Sequence, residues 1–161
     1  MTDSMLKKMK ASIDEWYRRK LEYFDLEDEP DAEVLLAYHN YVCWHYEEAL
    51  RGDLPERIVP ALRRTFDHNL GRNLAVEAID DRFFATQKGT GEYHSETPGM
   101  LLDRISIIYL KIIHCPPADA ERLSALEEQD RFLCRCYLEL VDGLASGRKQ
   151  MFRIEKTKHF S

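Results

Sequence analysis

Apolar residues recur every three or four positions over five long stretches of the chain, the spacing that is typical of one face of an α-helix. The stretches run from about Asp3 to Phe24, from 31 to 52, from about 53 to Thr86, from Pro98 to about Cys115, and from about Pro117 to Ala145. The second and fourth stretches are apolar on most sides, which favours a central position in a bundle. No alternating strand pattern precedes the C-terminal segment. The pattern predicts an all-α fold, a five-helix bundle.

Capping and helix-breaking residues mark the boundaries of these stretches. Thr97 followed by Pro98 is a typical helix start, with threonine as cap and proline as first helical residue. Pro60 lies inside the third stretch, where we expect a kink or a restart because proline lacks a backbone N–H. Residues 88–96 are expected to form a loop, and Gly147 is expected to end the fifth helix.

The composition fits one globular domain. The 161 residues are 44% hydrophobic and 32% charged, and a chain of this length can bury a core. We therefore expect a single helical domain over residues 1–161, with its core in 31–146 and a basic C-terminal tail in 147–161.

Net charge, the length of apolar runs and the cysteine pattern argue against several classes of protein. The net charge of −6 argues against nucleic-acid binding as the main task, because phosphate neutralisation needs a basic face. No apolar run approaches the roughly 18–20 residues that span a bilayer. The four cysteines form no Cys-x-x-Cys pair, which indicates free thiols in a reducing compartment. We expect a cytoplasmic protein, and the helices that are apolar all round leave a homodimer open.

Polar residues interrupt the apolar faces of three of the predicted helices. At about 100° per residue, each set follows one stripe of its helix. The sets are Asn40, Trp44, Glu47, Glu48 and Arg51 with His45 beside them on the second helix, Asn69, Asn73, Glu77 and Asp80 with Arg72 on their flank on the third, and Asp103, Arg104, Lys111 and His114 on the fourth. Burying such groups unpaired costs about 1–3 kcal/mol each. We therefore expect the stripes to face one another inside the bundle.

Four interpretations of this polar cluster are open. The first is a satisfied structural network that fixes helix register. The second is a pocket for a small anionic compound such as a phosphorylated sugar or a nucleotide, because many cations in a core indicate an absent anion. The residues assigned to that pocket are the cations Arg51, Arg72, Arg104 and Lys111, with His45 or His114 as proton carrier.

The third interpretation is a Mg²⁺ or Mn²⁺ site. Glu77-x-x-Asp80 places two carboxylates one helical turn apart, and Glu47-Glu48 would complete the set of ligands. This arrangement is similar to that of the all-α nucleotide pyrophosphatases, although Arg51 stands where their Glu-Glu-x-x-Glu motif has its last glutamate. The fourth interpretation is a partner-binding module that uses the basic, aromatic tail.

The remaining histidines and tryptophans are expected to have structural roles. His39 and His68 are expected at the surface or at the edge of the core, and Trp16 and Trp44 are expected to fill the core. Nucleophilic catalysis is not expected, because the chain has no Gly-x-Ser-x-Gly motif and Cys43 lies on an apolar helix that disfavours a thiolate.

Several segments together resemble one protein family. The segments are Trp44-His45-Tyr46-Glu47-Glu48 with Arg51, Asn69-x-x-Arg72-Asn73-x-x-x-Glu77-x-Ile79-Asp80, Ser95-Glu96-Thr97-Pro98-Gly99 with Asp103-Arg104-Ile105-Ser106-Ile107 and Lys111-Ile112-Ile113-His114, and Gly147-Arg148-Lys149. The family is the bacterial domain of unknown function 4254, and the resemblance covers about residues 36–155. The chain departs from the family pattern at Glu48, where an aspartate is usual, and at Leu70 and Leu74, where polar residues are common.

The resemblance implies an all-helical domain without an established activity, encoded by genes that often lie beside glycosyltransferases. This neighbourhood favours a sugar nucleotide or a glycan intermediate as ligand. Our first hypothesis is a site that binds a small anionic metabolite linked to glycan assembly, with hydrolytic or transfer chemistry left open. Its residues are Arg72, Arg104 and Lys111 for the anion, Glu77, Asp80 and Asp103 to orient the cations or a metal, His45 and His114 as acid or base, and Asn40, Glu48, Arg51, Asn69 and Asn73 as further ligand contacts. The alternatives are a non-catalytic accessory or scaffold protein for a glycosyltransferase, and a divergent metal-dependent enzyme of the pyrophosphatase type.

Overall fold

The structure of the protein is a computed structural model that describes residues 2–52 and 55–153. This part of the chain contains α1 (Thr2–Arg18), α2 (Ala32–Gly52), α3 (Pro55–Thr86), α4 (Pro98–Ile113) and α5 (Ala120–Ser146), with the short strands β1 (Glu92–His94) and β2 (Lys149–Met151). The predicted all-α, single-domain bundle of five helices is confirmed. None of the described helices combines the length and the apolar character needed to cross a membrane.

Helix α1 ends at Arg18, several residues before its apolar periodicity stops. Lys20 has a φ of 55°, and the N–H groups of Lys20 and Leu21 bond back to the carbonyls of Tyr17 and Trp16. This pair of bonds is the Schellman arrangement, which closes a helix at a left-handed residue. Glycine usually occupies that position, so a lysine there carries no stop signal in the sequence.

The other helix boundaries lie close to the predicted ones. Thr97 caps α4 and Pro98 is its first residue, and α5 ends at Gly147, which has a φ of 80°. The restart expected at Pro60 is not found, because α3 continues through this residue as one helix. Pro60 lies near the start of α3, where a missing N–H removes only one bond close to the helix end.

The two strands were not predicted. They pair in parallel, with Tyr93 opposite Gln150 and His94 opposite Met151. Each strand has three residues, too few for an alternating pattern to stand out. Met151 is buried, so the predicted basic tail begins as part of the fold. The rest of that tail, from residue 154, lies outside the described residues.

All five helices contribute to one hydrophobic core. Helix α2 lies at its centre, with α1, α3 and α4 packed around it. Fully buried side chains on the five helices include Met9, Ile13, Tyr41, Ile79, Leu102 and Tyr137. Because Met9 and Ile13 belong to α1, the core extends to the N-terminal side of the 31–146 segment expected from the sequence.

The cysteines are free thiols, as expected, but only Cys43 is fully buried. Burial raises the pKa of the Cys43 thiol to about 11. The thiol therefore stays protonated near neutral pH, in agreement with the absence of a nucleophilic role in the sequence-based expectations.

Helices α2 and α3 approach closely at Gly71. A Cβ atom at this position would overlap the imidazole ring of His39 on α2. The ring is held in place, because its Nδ1 atom lies 3.0 Å from Nδ1 of His68. A glycine inside a helix lowers its stability by roughly 0.5–1 kcal/mol relative to alanine. At Gly71 the absence of a Cβ allows α2 and α3 to touch.

We predict that Gly71→Ala lowers the free energy of unfolding by about 1–3 kcal/mol, the usual cost of overpacking a core. Gly143→Ala on α5 is the matched control, since the three atoms nearest to a Cβ there, at 2.8–3.1 Å, belong to the Lys149 side chain, which is more flexible than the paired His39 ring. Urea denaturation of both variants measures the difference. A Gly71→Ala protein as stable as the control would contradict the close contact with His39.

Candidate functional site

Asn40 joins α2 to α4 in the interior of the bundle. Its side-chain nitrogen donates to Asp103 Oδ1 at 2.8 Å and to Ser106 Oγ at 2.6 Å. Arg72 approaches the same Asp103 oxygen from α3, with its Nε atom 3.6 Å away. We name these four residues the Asn40 cluster. Three helices meet in it through an amide, a carboxylate and a guanidinium group.

A second polar group lies further along α2 and α4 and contains two histidines. The Nδ1 atoms of His45 and His114 lie 3.4 and 3.5 Å from the two carboxylate oxygens of Glu48. Tyr17 of α1 is hydrogen-bonded to His114 Nε2. Trp44 stacks on the His114 ring, with the ring centroids 4.8 Å apart. We name these five residues the histidine cluster.

Burial controls the protonation of the histidine cluster. It lowers the pKa of both His45 and His114, and the Glu48 carboxylate opposes each shift. Burial also raises the pKa of Tyr17, so this hydroxyl stays protonated near neutral pH. It is hydrogen-bonded to His114 Nε2, and Nδ1 of the same ring lies 3.5 Å from Glu48. Both ring nitrogens of His114 therefore face a polar group.

His45 differs from His114 because one of its ring nitrogens is left over. Its Nδ1 atom faces Glu48, whereas its Nε2 atom is buried without a hydrogen-bond partner in the described residues. A carboxylate that holds Nδ1–H leaves the lone pair on Nε2, the arrangement of a histidine base that is oriented by an acid. Of the two predicted proton carriers, His45 has the geometry for that role.

The Asn40 cluster and the histidine cluster together form one polar seam along α2. Equivalent contacts recur eight residues further along both α2 and α4, so these helices run in the same direction and the clusters lie about 12 Å apart. Trp44 is the member of the histidine cluster that lies one helical turn after Asn40 on α2. Its indole Nε1 and the Nε of Arg72 are both buried without an acceptor in the described residues. Such donors are rare in folded proteins.

Asp80 has a structural role that the sequence did not reveal. Its carboxylate accepts hydrogen bonds from the Thr97 hydroxyl at 2.6 Å and from the Gly99 N–H at 2.7 Å. A Cβ on Gly99 would collide with Asp80 and with the carbonyl of Val76. Asp80 therefore ties α3 to the first turn of α4. The expected role of Asp80 in orienting cations or a metal stays a prediction.

The predicted polar stripe of α4 is divided between two sides of the helix. Arg104 and Lys111 line an open cavity of about 310 Å³ between α4 and α5. The other residues around this cavity are Ile107, Ile108, Gln129, Phe132 and Leu133. Arg104 also pairs with Glu96 at 2.7 Å. Because successive residues turn by about 100°, these two cations lie on the α5 side of α4 and do not join Arg72, contrary to the expectation from the sequence.

The remaining predicted site residues are not members of the polar seam. Glu47 and Arg51 are exposed, and Asn69, Asn73 and Glu77 are half-buried. Across residues 2–52 and 55–153, no three His, Cys, Asp or Glu side chains are grouped so that they could hold a metal ion. The Mg²⁺ or Mn²⁺ set of Glu47, Glu48, Glu77 and Asp80 is therefore not assembled in this part of the chain.

Two histidines that were expected near the surface form a half-buried pair between α2 and α3. The Nδ1 atoms of His39 and His68 lie 3.0 Å apart, and the ring of Tyr46 stacks against His68. Burial, together with His68, lowers the pKa of His39 to about 4. Burial, together with Arg64, also lowers the pKa of His68. Both rings are therefore neutral near neutral pH.

Three members of the polar seam escaped the sequence-based prediction. Tyr17 follows the apolar period of α1, so it gave no indication of a polar role. Trp44 lies on the polar stripe of the second helix and in a segment that resembles the family, but it was expected to fill the core. Ser106 stands between two isoleucines; its signals were its place in such a segment and the three-residue spacing from Asp103, which places both on one helix face.

Comparison with known proteins identifies the family of the chain. The family described as "Protein of unknown function (DUF4254)" matches residues 32–152, and the chain belongs to this family. The matched segment contains the whole polar seam except Tyr17. No curated protein and no solved structure matches the chain.

We predict that Asp80→Ala lowers the free energy of unfolding by about 2–4 kcal/mol, because two buried donors lose a charged acceptor. Asp81→Ala is the matched control, since Asp81 is exposed and pairs with Arg153 at the surface, where an ion pair contributes about 0–1 kcal/mol. Chemical denaturation compares the two. Equal stability of the two variants would show that Asp80 does not tie α3 to α4.

We also predict that the protein loses stability in mildly acidic solution. The folded state holds the pKa of His39 near 4, below its ordinary value of 6.5, so the unfolded chain binds the proton more readily. The stability that comes from keeping His39 neutral is fully present above pH 6.5 and is lost as the pH falls to about 4. Over this range the free energy of unfolding falls by up to about 1.4 kcal/mol per pH unit. Urea unfolding at a series of pH values measures the slope. His39→Gln should reduce it, and an unchanged slope in that variant would contradict the assignment.

Proposed function

We propose that the protein binds a small anionic metabolite at the polar seam, and that this metabolite is a phosphosugar or a sugar nucleotide used in glycan assembly. The phosphate of such a compound would lie against Arg72 and Trp44. Asn40 and Asp103 would hold Arg72 in position, and the histidine cluster would lie beside the bound group.

The observation that carries this proposal is that two buried donors, Arg72 Nε and Trp44 Nε1, have no acceptor among the residues that the structure describes. Leaving a buried donor unsatisfied costs about 1–3 kcal/mol, so an acceptor that bonds to either donor removes that cost. Arginine is the preferred partner of phosphate because its planar guanidinium donates in a fork. Its Nε is beyond hydrogen-bond distance of Asp103, at 3.6 Å, which leaves this donor available.

The partial solvent exposure of the Arg72 side chain supports binding of a ligand from solution over an ion pair with Asp103 that is closed to solvent. The Arg72 side chain retains 30% of its exposure and Asp103 retains 20%, so the guanidinium lies at the edge of the core. Trp44 is also half-buried. Its stacking with His114 forms an aromatic surface next to the donors, suited to the face of a sugar ring or a base.

The histidine cluster supports acid–base chemistry on the bound compound. In a hydrolytic step, water would attack the phosphorus and pass its proton to Nε2 of His45 while Glu48 holds Nδ1–H of the same ring. The P–O bond to the sugar or nucleoside would break as the new P–O bond forms, and the leaving oxygen would take up the proton from His45. The lowered pKa of His45 keeps this nitrogen unprotonated near neutral pH, as a base requires. His114 serves to hold Glu48 in place.

The sugar part of the proposal and the cytoplasmic location come from the family resemblance and from the free cysteines. A glycosyltransferase encoded nearby would supply or consume such a compound. If the seam binds nothing, the alternative is an accessory protein that acts by contact with a glycosyltransferase.

We predict that inorganic phosphate, glucose 1-phosphate or UDP-glucose raises the melting temperature of the wild type, since a ligand at 100 times its Kd stabilises by about 2.7 kcal/mol. Arg72→Gln should weaken the same binding at least about 30-fold, the loss of a charged hydrogen-bonded contact. Thermal shift followed by calorimetric titration measures both effects.

Arg104→Gln is the matched control, because Arg104 lies on the α5 side of α4 and should leave the affinity unchanged. Equal weakening by both substitutions would point to non-specific charge attraction. If none of these probes binds while a glycosyltransferase co-purifies with the protein, the accessory role replaces the metabolite site.

A further inference from the structure

The outer face of α3 carries a row of exposed apolar side chains. Phe66 is 71% exposed, Leu70 is 47% and Leu74 is 49%. Leu62, one turn earlier, is 41% exposed. Single apolar residues at a surface are normal, but a contiguous row of four is characteristic of an interaction surface. We name these four residues the α3 stripe.

The α3 stripe lies on the side of the helix opposite the polar seam. With Leu70 set at 0° and about 100° per residue, Arg72 lies near 200° and Ile79 near 180°. Ile79 is fully buried, so the inner face of α3 is already packed against the rest of the bundle. Helix α3 therefore has two apolar faces, and only the inner one is covered by the described residues.

We propose that the α3 stripe is the contact surface of a homodimer, in which α3 packs antiparallel against α3 of a second copy with the two-fold axis at Leu70. The stripe is symmetric about this residue, since Phe66 and Leu74 lie four positions on either side. A two-fold interface must be complementary to itself. The proposed pairing places Phe66 beside Leu74 of the second copy and Leu70 against Leu70 of the second copy.

Charge on the same face selects the antiparallel direction. Arg63 lies seven residues before Leu70 and Glu77 lies seven residues after it, both within about 20° of the stripe centre. Antiparallel packing brings Arg63 of each chain opposite Glu77 of the second copy. A parallel arrangement would instead bring Arg63 against Arg63 and align the helix dipoles, both of which are unfavourable.

The spacing of the α3 stripe also fixes the packing geometry and the strength of the dimer. Its residues follow one ridge of positions four apart, and two such ridges interdigitate at a crossing angle of about −50°. The contact extends over residues 62–78, about 24 Å of helix. A strip of that length and about 10 Å wide covers roughly 240 Å², well below the roughly 800 Å² that each partner contributes to a standard interface. The dimer should therefore be reversible, with a Kd in the micromolar range.

Sedimentation velocity of the wild type from about 5 to about 200 µM, a range that brackets a micromolar Kd, tests the association. We expect a shift from monomer to dimer with rising concentration. Leu70→Glu places two like charges at the axis and should raise the Kd at least about 30-fold. Phe132→Glu on α5 removes an equally exposed apolar residue, 56% exposed, and should leave the dimer unchanged.

A cysteine at the two-fold axis tests the register independently. Leu70→Cys should form a disulfide-linked dimer under mild oxidation, because the two copies of this residue face each other within bonding distance. Ala78→Cys, exposed on the same helix but eight residues from the axis, should not.

A wild type that stays monomeric at all concentrations, or a dimer that persists in Leu70→Glu, would overturn the proposal. Because the α3 stripe faces away from Arg72, phosphate binding should be the same in Leu70→Glu and in the wild type.

Discussion

The double hydrogen bond of Asn40 is the contact on which the arrangement of α2, α3 and α4 depends. Both hydrogens of one buried amide are used on α4, one by the Asp103 carboxylate and one by the Ser106 hydroxyl. Sliding α2 along α4 would break both bonds at once and leave the amide unsatisfied in the core, a cost of about 1–3 kcal/mol or more. Asn40 thus fixes the register of the two helices, and Asp103 in turn anchors Arg72 of α3.

The chemistry of the polar seam follows from this register. Because α2 and α4 keep the same register eight residues further along, Glu48 contacts His114 of α4 as well as His45 of its own helix. Burial keeps both rings neutral, and Tyr17 occupies the second nitrogen of His114. Within residues 2–52 and 55–153, His45 Nε2, Arg72 Nε and Trp44 Nε1 are buried without a hydrogen-bond partner. These are the groups that the proposed ligand would contact.

The sequence predicted the helices well because their apolar period and caps are local signals, as Thr97 and Pro98 show. It missed the end of α1, where Lys20 takes a left-handed conformation usually reserved for glycine, and the three-residue strands, which depend on a partner distant in the chain. It also placed Asp80 and Lys111 in the same site as Arg72. Helical phase identifies which residues share a stripe, but it does not tell which neighbouring helix each residue meets, and that information came only from the packing.

NMR observation of the two tryptophan indole N–H groups during a phosphate or sugar-phosphate titration tests the polar seam most directly. The chain has two tryptophans, Trp44 in the seam and Trp16 of α1 in the core. A ligand oxygen that accepts from Trp44 Nε1 should shift the Trp44 Nε1–H resonance downfield in a saturable way, together with Arg72 Nε–H, while Trp16 stays unchanged. A titration that leaves the Trp44 and Arg72 signals in place, or moves only the side chains of Arg104 and Lys111, would contradict a ligand site at the seam.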